Sequence, residues 1–322
     1  MAMKLTKLRI LIERVLLPNA TGKLAELQET IRAMKARQDE LSGLDHPASL
    51  ISPHDLMKLG PATVRRRARE RVRPIYLGDH RALCTMLARY KFFVDTRDLG
   101  FATHLLTDGF WEMGLTEFMV KTVKEGMVVL DVGANFGYYS VLFADLVGPN
   151  GRLTAFEPNP HAAHAAEASL STNGFGGHSR VIRAAVSDSA GSVNFCIPRS
   201  EPKNAKILQT GEEAPADSDV TTVPTMSLDE ACRDQKVDFI KIDAEGGEYH
   251  IFKGMQQLIV RDRPKIVLEF NAGRAFSDEL MELIVRHYPV LKYVDSEGRA
   301  VEATKAKIMT EHVGEDWMLF LE

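Results

Sequence analysis

Cysteine is scarce. The 322 residues contain three, Cys84, Cys196 and Cys232, an odd number, widely spaced and outside any CxxC or Cys/His ligand pattern. Neither a disulfide framework nor a structural zinc site fits them, and the thiols point to a reducing compartment, read as the cytoplasm. Long apolar runs are missing too. The clean stretches, such as Met127 to Leu130 and Ile266 to Leu268, are strand-sized, well short of the roughly 20 residues of a spanning helix. No internal repeat or low-complexity tract is present, and there is no basic excess overall: 40 Lys and Arg stand against 44 Asp and Glu, a net charge of −4. Without aromatics interleaved among its basic residues, the chain is not expected to bind nucleic acid.

Charge is unevenly spread. Residues 1–75 carry 15 Lys and Arg against 8 Asp and Glu, leaving 25 against 36 for residues 76–322, which divides the chain into a basic extension (1–75) and an acidic body (76–322). In residues 1–17, Leu5, Leu8, Ile12 and Val15 recur at helical spacing among Lys4, Lys7, Arg9 and Arg14. This is a basic amphipathic helix, a candidate peripheral membrane contact, and not a signal peptide, because Glu13 and Arg14 interrupt the apolar run. Over 23–41, Leu24, Leu27, Ile31, Met34 and Leu41 form a short heptad-like seam. It can either pair two copies of the chain or dock on the chain's own body. A linker follows, then RRRARERVR over Arg65–Arg73 with six arginines in nine positions. That cluster could hold an anionic group, but a solvated helix face is the commoner fate of such a charge run.

Beyond residue 126, strand-like apolar runs alternate with helical stretches: Val128–Val132, Arg152–Glu157, Arg180–Val186, Val193–Ile197, Phe239–Asp243, Lys265–Phe270, Val290–Val294 and Trp317–Leu321. The alternation predicts a doubly wound α/β sheet. VVLDVGANFGYYS, Val128 to Ser140, is the most informative stretch. A buried strand ends in Asp131, turns through Gly133, Ala134, Asn135 and Gly137, and enters a helix. A dinucleotide pyrophosphate favours GxGxxG and no acid at the turn, whereas GxxxG preceded by Asp131 suits a cationic cofactor. The next strand ends in Glu157 before Pro158, placed to accept both hydroxyls of a ribose. Together these acids point to S-adenosylmethionine.

DVGANFGYYS, AFEPNP, AAVSD and above all IKIDAEGGEYHIFKG resemble the FkbM family of S-adenosylmethionine-dependent methyltransferases, over most of residues 92–322. The resemblance implies a class I methyltransferase sheet of seven strands with the last antiparallel, here preceded by an N-terminal helical extension. It also implies O-methylation of sugars or other natural-product hydroxyls. Asp131, Gly133, Asn135 and Gly137 fall on the motif around the methionine part, and Glu157 on the ribose acid. Ala185, Val186 and Asp188 fall where such folds line the adenine, although Asp188 is equally read as a turn acid.

The acceptor chemistry is expected at Asp243-Ala244-Glu245-Gly246-Gly247-Glu248, where a strand delivers three carboxylates to the sheet edge. An alcohol needs a general base, and Asp243 and Glu245 are the candidates. Glu248 either positions the substrate or stabilises the following helix. Glu269 and Asn271 end the next strand and line the acceptor or, with Asp243, offer oxygen ligands to Mg²⁺ as the lesser alternative. His104, Trp111 and Glu112 are expected as a lid or acceptor wall, and the polar stretch from Pro198 to Asp219 as a long mobile loop. The expected acceptor is a hydroxylated, saccharide-like compound. An N- or carboxyl-methyltransferase and a non-catalytic membrane-surface scaffold stand as the alternatives.

Overall fold

The computed structural model describes residues 29–34, 53–208 and 211–322. The chain divides into two compact units, Met1–Ile51 and Ser52–Glu322. In the first, residues 29–34 are helical and expose Ile31 and Met34. The basic helix read at 1–17 and the rest of the 23–41 seam lie outside the described residues. Among the described residues no helix is long and apolar enough to cross a membrane. The arginine-rich run forms the helix Pro61–Arg71, which buries Val64, Arg67 and Ala68. Its charge is met locally: Arg66 pairs with Glu70 at 2.9 Å and Arg69 with Asp108 at 2.7 Å. This helix belongs with the second unit, so the compact body starts upstream of residue 76.

The central sheet of that unit has eight strands: β1 (Val128–Val132), β2 (Arg152–Phe156), β3 (Ser179–Ile182), β4 (Phe239–Ile242), β5 (Lys265–Phe270), β6 (Lys292–Val294), β7 (Ala300–Glu302) and β8 (Trp317–Leu321). Their order is β7-β6-β8-β5-β4-β1-β2-β3. β1 to β5 are mutually parallel, and β8 runs antiparallel to β5. The expected class I arrangement is present, with one addition: β7 is an eighth strand, paired with β6 as an edge hairpin. The parallel strands read as nearly unbroken apolar runs because helices cover both faces. Leu130, Ile240, Phe252, Leu268 and Leu319 meet in one core, each essentially inaccessible to solvent.

The register sets up the site. Val132 pairs with Phe156 and with Ile242, and Ile242 with Leu268. Glu157, Gly133, Asp243 and Glu269, one residue further along each strand, therefore stand side by side on the C-terminal edge, where open α/β sheets bind ligands.

Two smaller sheets were not legible as such. Ile75–Gly78, Arg81–Met86 and Tyr90–Asp95 form an antiparallel meander. Ala185–Val186, Ser218–Met226, Gly191–Pro198 and Lys206–Ile207 form a four-stranded sheet in that order. The single strand expected over Arg180–Val186 is thus divided between two sheets. The stretch expected as a mobile loop after Pro198 holds a 3₁₀ turn (Pro202–Asn204) and the Lys206–Ile207 strand, which pairs with Phe195 and Cys196.

Candidate active site

The glycine turn after β1 is forced by close approach. Gly133 has φ +73°, and a Cβ there would stand 1.8 Å from the Asp243 carbonyl oxygen, so only glycine lets the β1 and β4 loops meet. Asn135 also sits in the left-handed region, at φ +54°. Its Oδ1 accepts from Phe136 N–H at 2.9 Å and its Nδ2 donates to the Lys203 carbonyl at 3.3 Å, the short-side-chain device by which Asn tolerates that conformation.

Glu157 is buried beside this turn. Asn135 N–H donates to its Oε2 and Asn159 N–H to its Oε1, both at 2.7 Å. Asn159 in turn caps the helix Pro160–Thr172, with Pro160 at its first turn. Burial pushes the Glu157 carboxyl up to about 7, against the pull of those two N–H groups.

Asp131 is fully buried beneath the turn. Ser140 Oγ donates to its Oδ2 at 2.6 Å, while Oδ1 has no hydrogen-bond partner and lies 3.9 Å from Lys241 Nζ. Its carboxylate does not border the cavity at this edge, and burial raises its pKa. Asp131, read as part of the motif around the methionine part of the cofactor, thus stands behind the turn and off the cavity border. It faces Lys241, which sequence reasoning passed over as one position of the Phe239–Asp243 strand. Lys241 is 2% exposed, its Nζ donates to Asp243 Oδ2 at 3.1 Å and it lies 5.2 Å from the Tyr139 ring centroid. Burial works against its charge, but Asp243 and Asp131 outweigh that and hold it above the ordinary lysine range.

A cavity of about 560 Å³ opens on this edge, bordered by Gly133 to Phe136, Glu157 and Pro158, Ala184 to Val186, Lys241, Asp243 to Glu245, Glu269 and Asp316. Trp111 and Glu112 border it from the segment before β1, and Pro202 to Ile207 from the small sheet. Glu112 has φ +38° and accepts from Tyr139 Oη at 3.0 Å. Burial and then Asp243 push its pKa up. Glu245, at φ +50°, is raised to about 7 by burial and by Asp243.

Other expected residues stand elsewhere. His104 pairs with Asp108 on the surface, Nδ1 to Oδ2 at 3.4 Å, with its ring against Trp111; it does not border the cavity. Asp188 bonds Lys253 Nζ at 2.9 Å, which holds its pKa down, and it too lies off the cavity. Glu248 Oε1 accepts from Ala244 N–H at 3.0 Å and Gly246 N–H at 3.2 Å, so it shapes the DAEGG loop rather than facing the cavity. Asn271 Nδ2 donates to Asp316 Oδ1 at 2.9 Å, and its Oδ1 accepts from Gly273 N–H.

The Mg²⁺ alternative is not supported. Arg274 bonds Glu269 at 2.5 Å and lies 3.3 to 3.5 Å from Asp316, Glu248 and Glu245. A fixed guanidinium thus holds the position between these acids, and Asn271 is turned to Asp316. Among the described residues no cluster of three or more His, Cys, Asp or Glu has an arrangement that could hold a metal ion.

S-Adenosylmethionine fits what is present. The cavity has the size of a small-molecule site. Glu157 is an acceptor aimed at its edge, and Ala184, Ala185, Val186, Phe195 and Ile207 give a small apolar wall for a planar ring. The cavity's carboxylates suit cationic groups. The family model described as the methyltransferase FkbM domain matches residues 131–295, a little over half of the chain. The chain belongs to the FkbM methyltransferase family. The matched FkbM region starts at the buried Asp131 and includes both Glu157 and the DAEGGE loop. Over 167 residues the chain is 27% identical to the hexuronic acid methyltransferase AglP of Haloferax volcanii, covering 50% of this chain and 63% of that protein. Over 59 residues it is 44% identical to a protein-L-isoaspartate O-methyltransferase of Aeropyrum pernix, 18% of this chain and 23% of that protein. A crystal structure of an FkbM methyltransferase from Methylobacillus flagellatus aligns at TM-score 0.40 and 16% identity, over 61% of this chain and 43% of that one. The chain thus spans less than two thirds of the AglP relative and of the FkbM crystal structure.

Proposed function

We propose that this chain methylates a hydroxyl group of a saccharide or glycoconjugate, using S-adenosylmethionine as donor. The observation that carries the reading is the alignment of Glu157, the glycine turn and Asp243 along one sheet edge around a single cavity. Glu157, Asn135 and the wall at Ala184 to Val186 would hold the cofactor. When bound, that cofactor supplies a methyl carbon already activated by a positive sulfur.

The residues of the chain have three remaining tasks: to align the hydroxyl, take its proton and exclude water. Asp243 would take the proton, a reading supported by its position just past β4 on the cavity border and by Lys241, which donates to its carboxylate at 3.1 Å. Glu245, with its carboxyl near 7, is the second candidate base. Glu269 and Asp316, held by Arg274, offer acceptors to further hydroxyls of a polyol. Trp111 supplies an apolar face of the kind on which sugar rings rest. The activity carried by the AglP relative, methylation of a hexuronic acid, agrees with this acceptor class. Screening hydroxylated saccharides for S-adenosylhomocysteine formation tests the proposal. A methylated sugar whose deoxy analogue is inert supports it, whereas transfer only to amines or carboxylates contradicts it.

A further inference from the structure

We infer that Lys203 is the counter-charge for the carboxylate of the bound cofactor's amino-acid end. The inference rests on the cofactor reading given under Proposed function and extends it to a residue outside the family match's core motifs. Three lysines border the cavity: Lys203, Lys206 and Lys241. Lys241 is committed to Asp243 and Asp131, and Lys206 bonds Glu212 at 2.7 Å. Among the described residues, Lys203 Nζ has no carboxylate within 4.0 Å; Asp98 and Glu112 act on it only from further away.

Its placement is built. Lys203 N–H donates to the Oδ2 of Asp98 at 2.9 Å, and that same fully buried carboxylate accepts from Phe101 N–H at 2.8 Å. The Lys203 carbonyl accepts from Asn135 Nδ2 at 3.3 Å. One buried acid thus pins the Lys203 strap to the start of the helix Phe101–Thr107, and Asn135 pins it to the glycine turn. The ammonium lies 5.1 Å from the Trp111 ring centroid, and the stem rests on Gly100, where a Cβ would meet Lys203 Cε at 2.9 Å. Lys203 therefore roofs the glycine turn. The carboxylates of Asp243, Glu269 and Asp316, also on the cavity border, would repel a carboxylate. S-Adenosylmethionine carries two positive groups and one negative, and among the described residues Lys203 is the cavity-lining lysine not paired with a carboxylate, tied by its carbonyl to the glycine turn.

The test compares S-adenosylmethionine with its decarboxylated analogue by calorimetric titration of the full chain. The analogue has one more net positive charge, so a cavity rich in carboxylates would favour it unless a cation reads the missing group. Wild type is expected to bind S-adenosylmethionine at least tenfold more tightly than the analogue. Lys203→Met, which keeps the stem, should erase or reverse that preference with analogue affinity not reduced, and Lys203→Arg should retain most of it. Gly100→Ala, which pushes the ammonium aside without removing it, should shrink the preference. A preference unchanged in Lys203→Met, or equal weakening of both compounds, overturns the assignment. Wild type that binds neither compound sinks the cofactor reading, and the assignment with it, a result distinct from the other two.

Discussion

The ammonium of Lys241 lies 3.1 Å from the carboxylate of Asp243, two residues further along the chain and just past the end of β4. Lys241 fixes where the carboxylate points, and Asp243 supplies the charge that lets a lysine be buried. Asp243→Asn should keep this geometry and lower kcat by about 10²- to 10⁴-fold, the range for losing a general base. Cofactor affinity should change little. Steady-state kinetics paired with calorimetry checks the division of roles, and an equal loss of affinity and turnover would refute it.

On the proposed cofactor assignment, Glu157 should link cofactor binding to pH. Its folded-state pKa is raised to about 7 from the ordinary 4.5, mainly by burial. Only the ionised form accepts two ribose hydroxyls, so affinity for S-adenosylmethionine should rise about tenfold per pH unit below 7 and level off above it. Stability runs the other way. A raised carboxyl stabilises the cofactor-free fold fully below about 4.5, and the contribution is lost as pH rises through 7. Glu157→Gln should flatten the pH dependence of affinity and gain stability relative to wild type between pH 5 and 8. Parallel titrations and urea melts at several pH values read both signs.

The sheet and its edge acids were legible because their signals are local. Unbroken apolar runs, the GANFG turn and the acids following β2 and β4 each carry their meaning within ten residues. What escaped was produced by distant packing. Lys241 is readable only once Asp131 on β1 and Asp243 are known to flank it. The Pro202–Ile207 strap borders the cavity because Ser218–Met226 and Phe195–Cys196 pull it into a second sheet, a pairing that a polar stretch with little periodicity does not announce. The burial of Asp131 and its bond to Ser140 likewise come from packing that the motif does not announce. His104 and Asp188 found partners on the surface, which spacing alone cannot show.

Gly133 should tolerate no side chain. The Cβ of Gly133→Ala would collide with backbone at Asp243, and its φ of +73° adds left-handed strain of about 1 kcal/mol. The variant should lose both cofactor binding and turnover, with the melting temperature lowered, as calorimetry and thermal melts would report.

Arg274 holds four carboxylates together. Burial disfavours its charge, but Glu269 and Glu248 more than offset this. Removing it in Arg274→Ala leaves partly buried acids unmatched and should cost about 3 kcal/mol or more, by analogy with broken buried pairs. Urea unfolding measures the loss. Because the guanidinium already serves these acids, methyl transfer by wild type should be unchanged after exhaustive EDTA treatment and dialysis.

The central claim is that this sheet edge binds S-adenosylmethionine through Glu157 and the glycine turn. Calorimetric titration of the purified chain with S-adenosylmethionine and, separately, with NAD tests it most directly. Micromolar binding of the former alone is expected, weakened about 10- to 100-fold in Glu157→Ala, the scale of hydrogen bonds to a charged acceptor. Binding of NAD in its place, or S-adenosylmethionine affinity indifferent to Glu157→Ala, would contradict it.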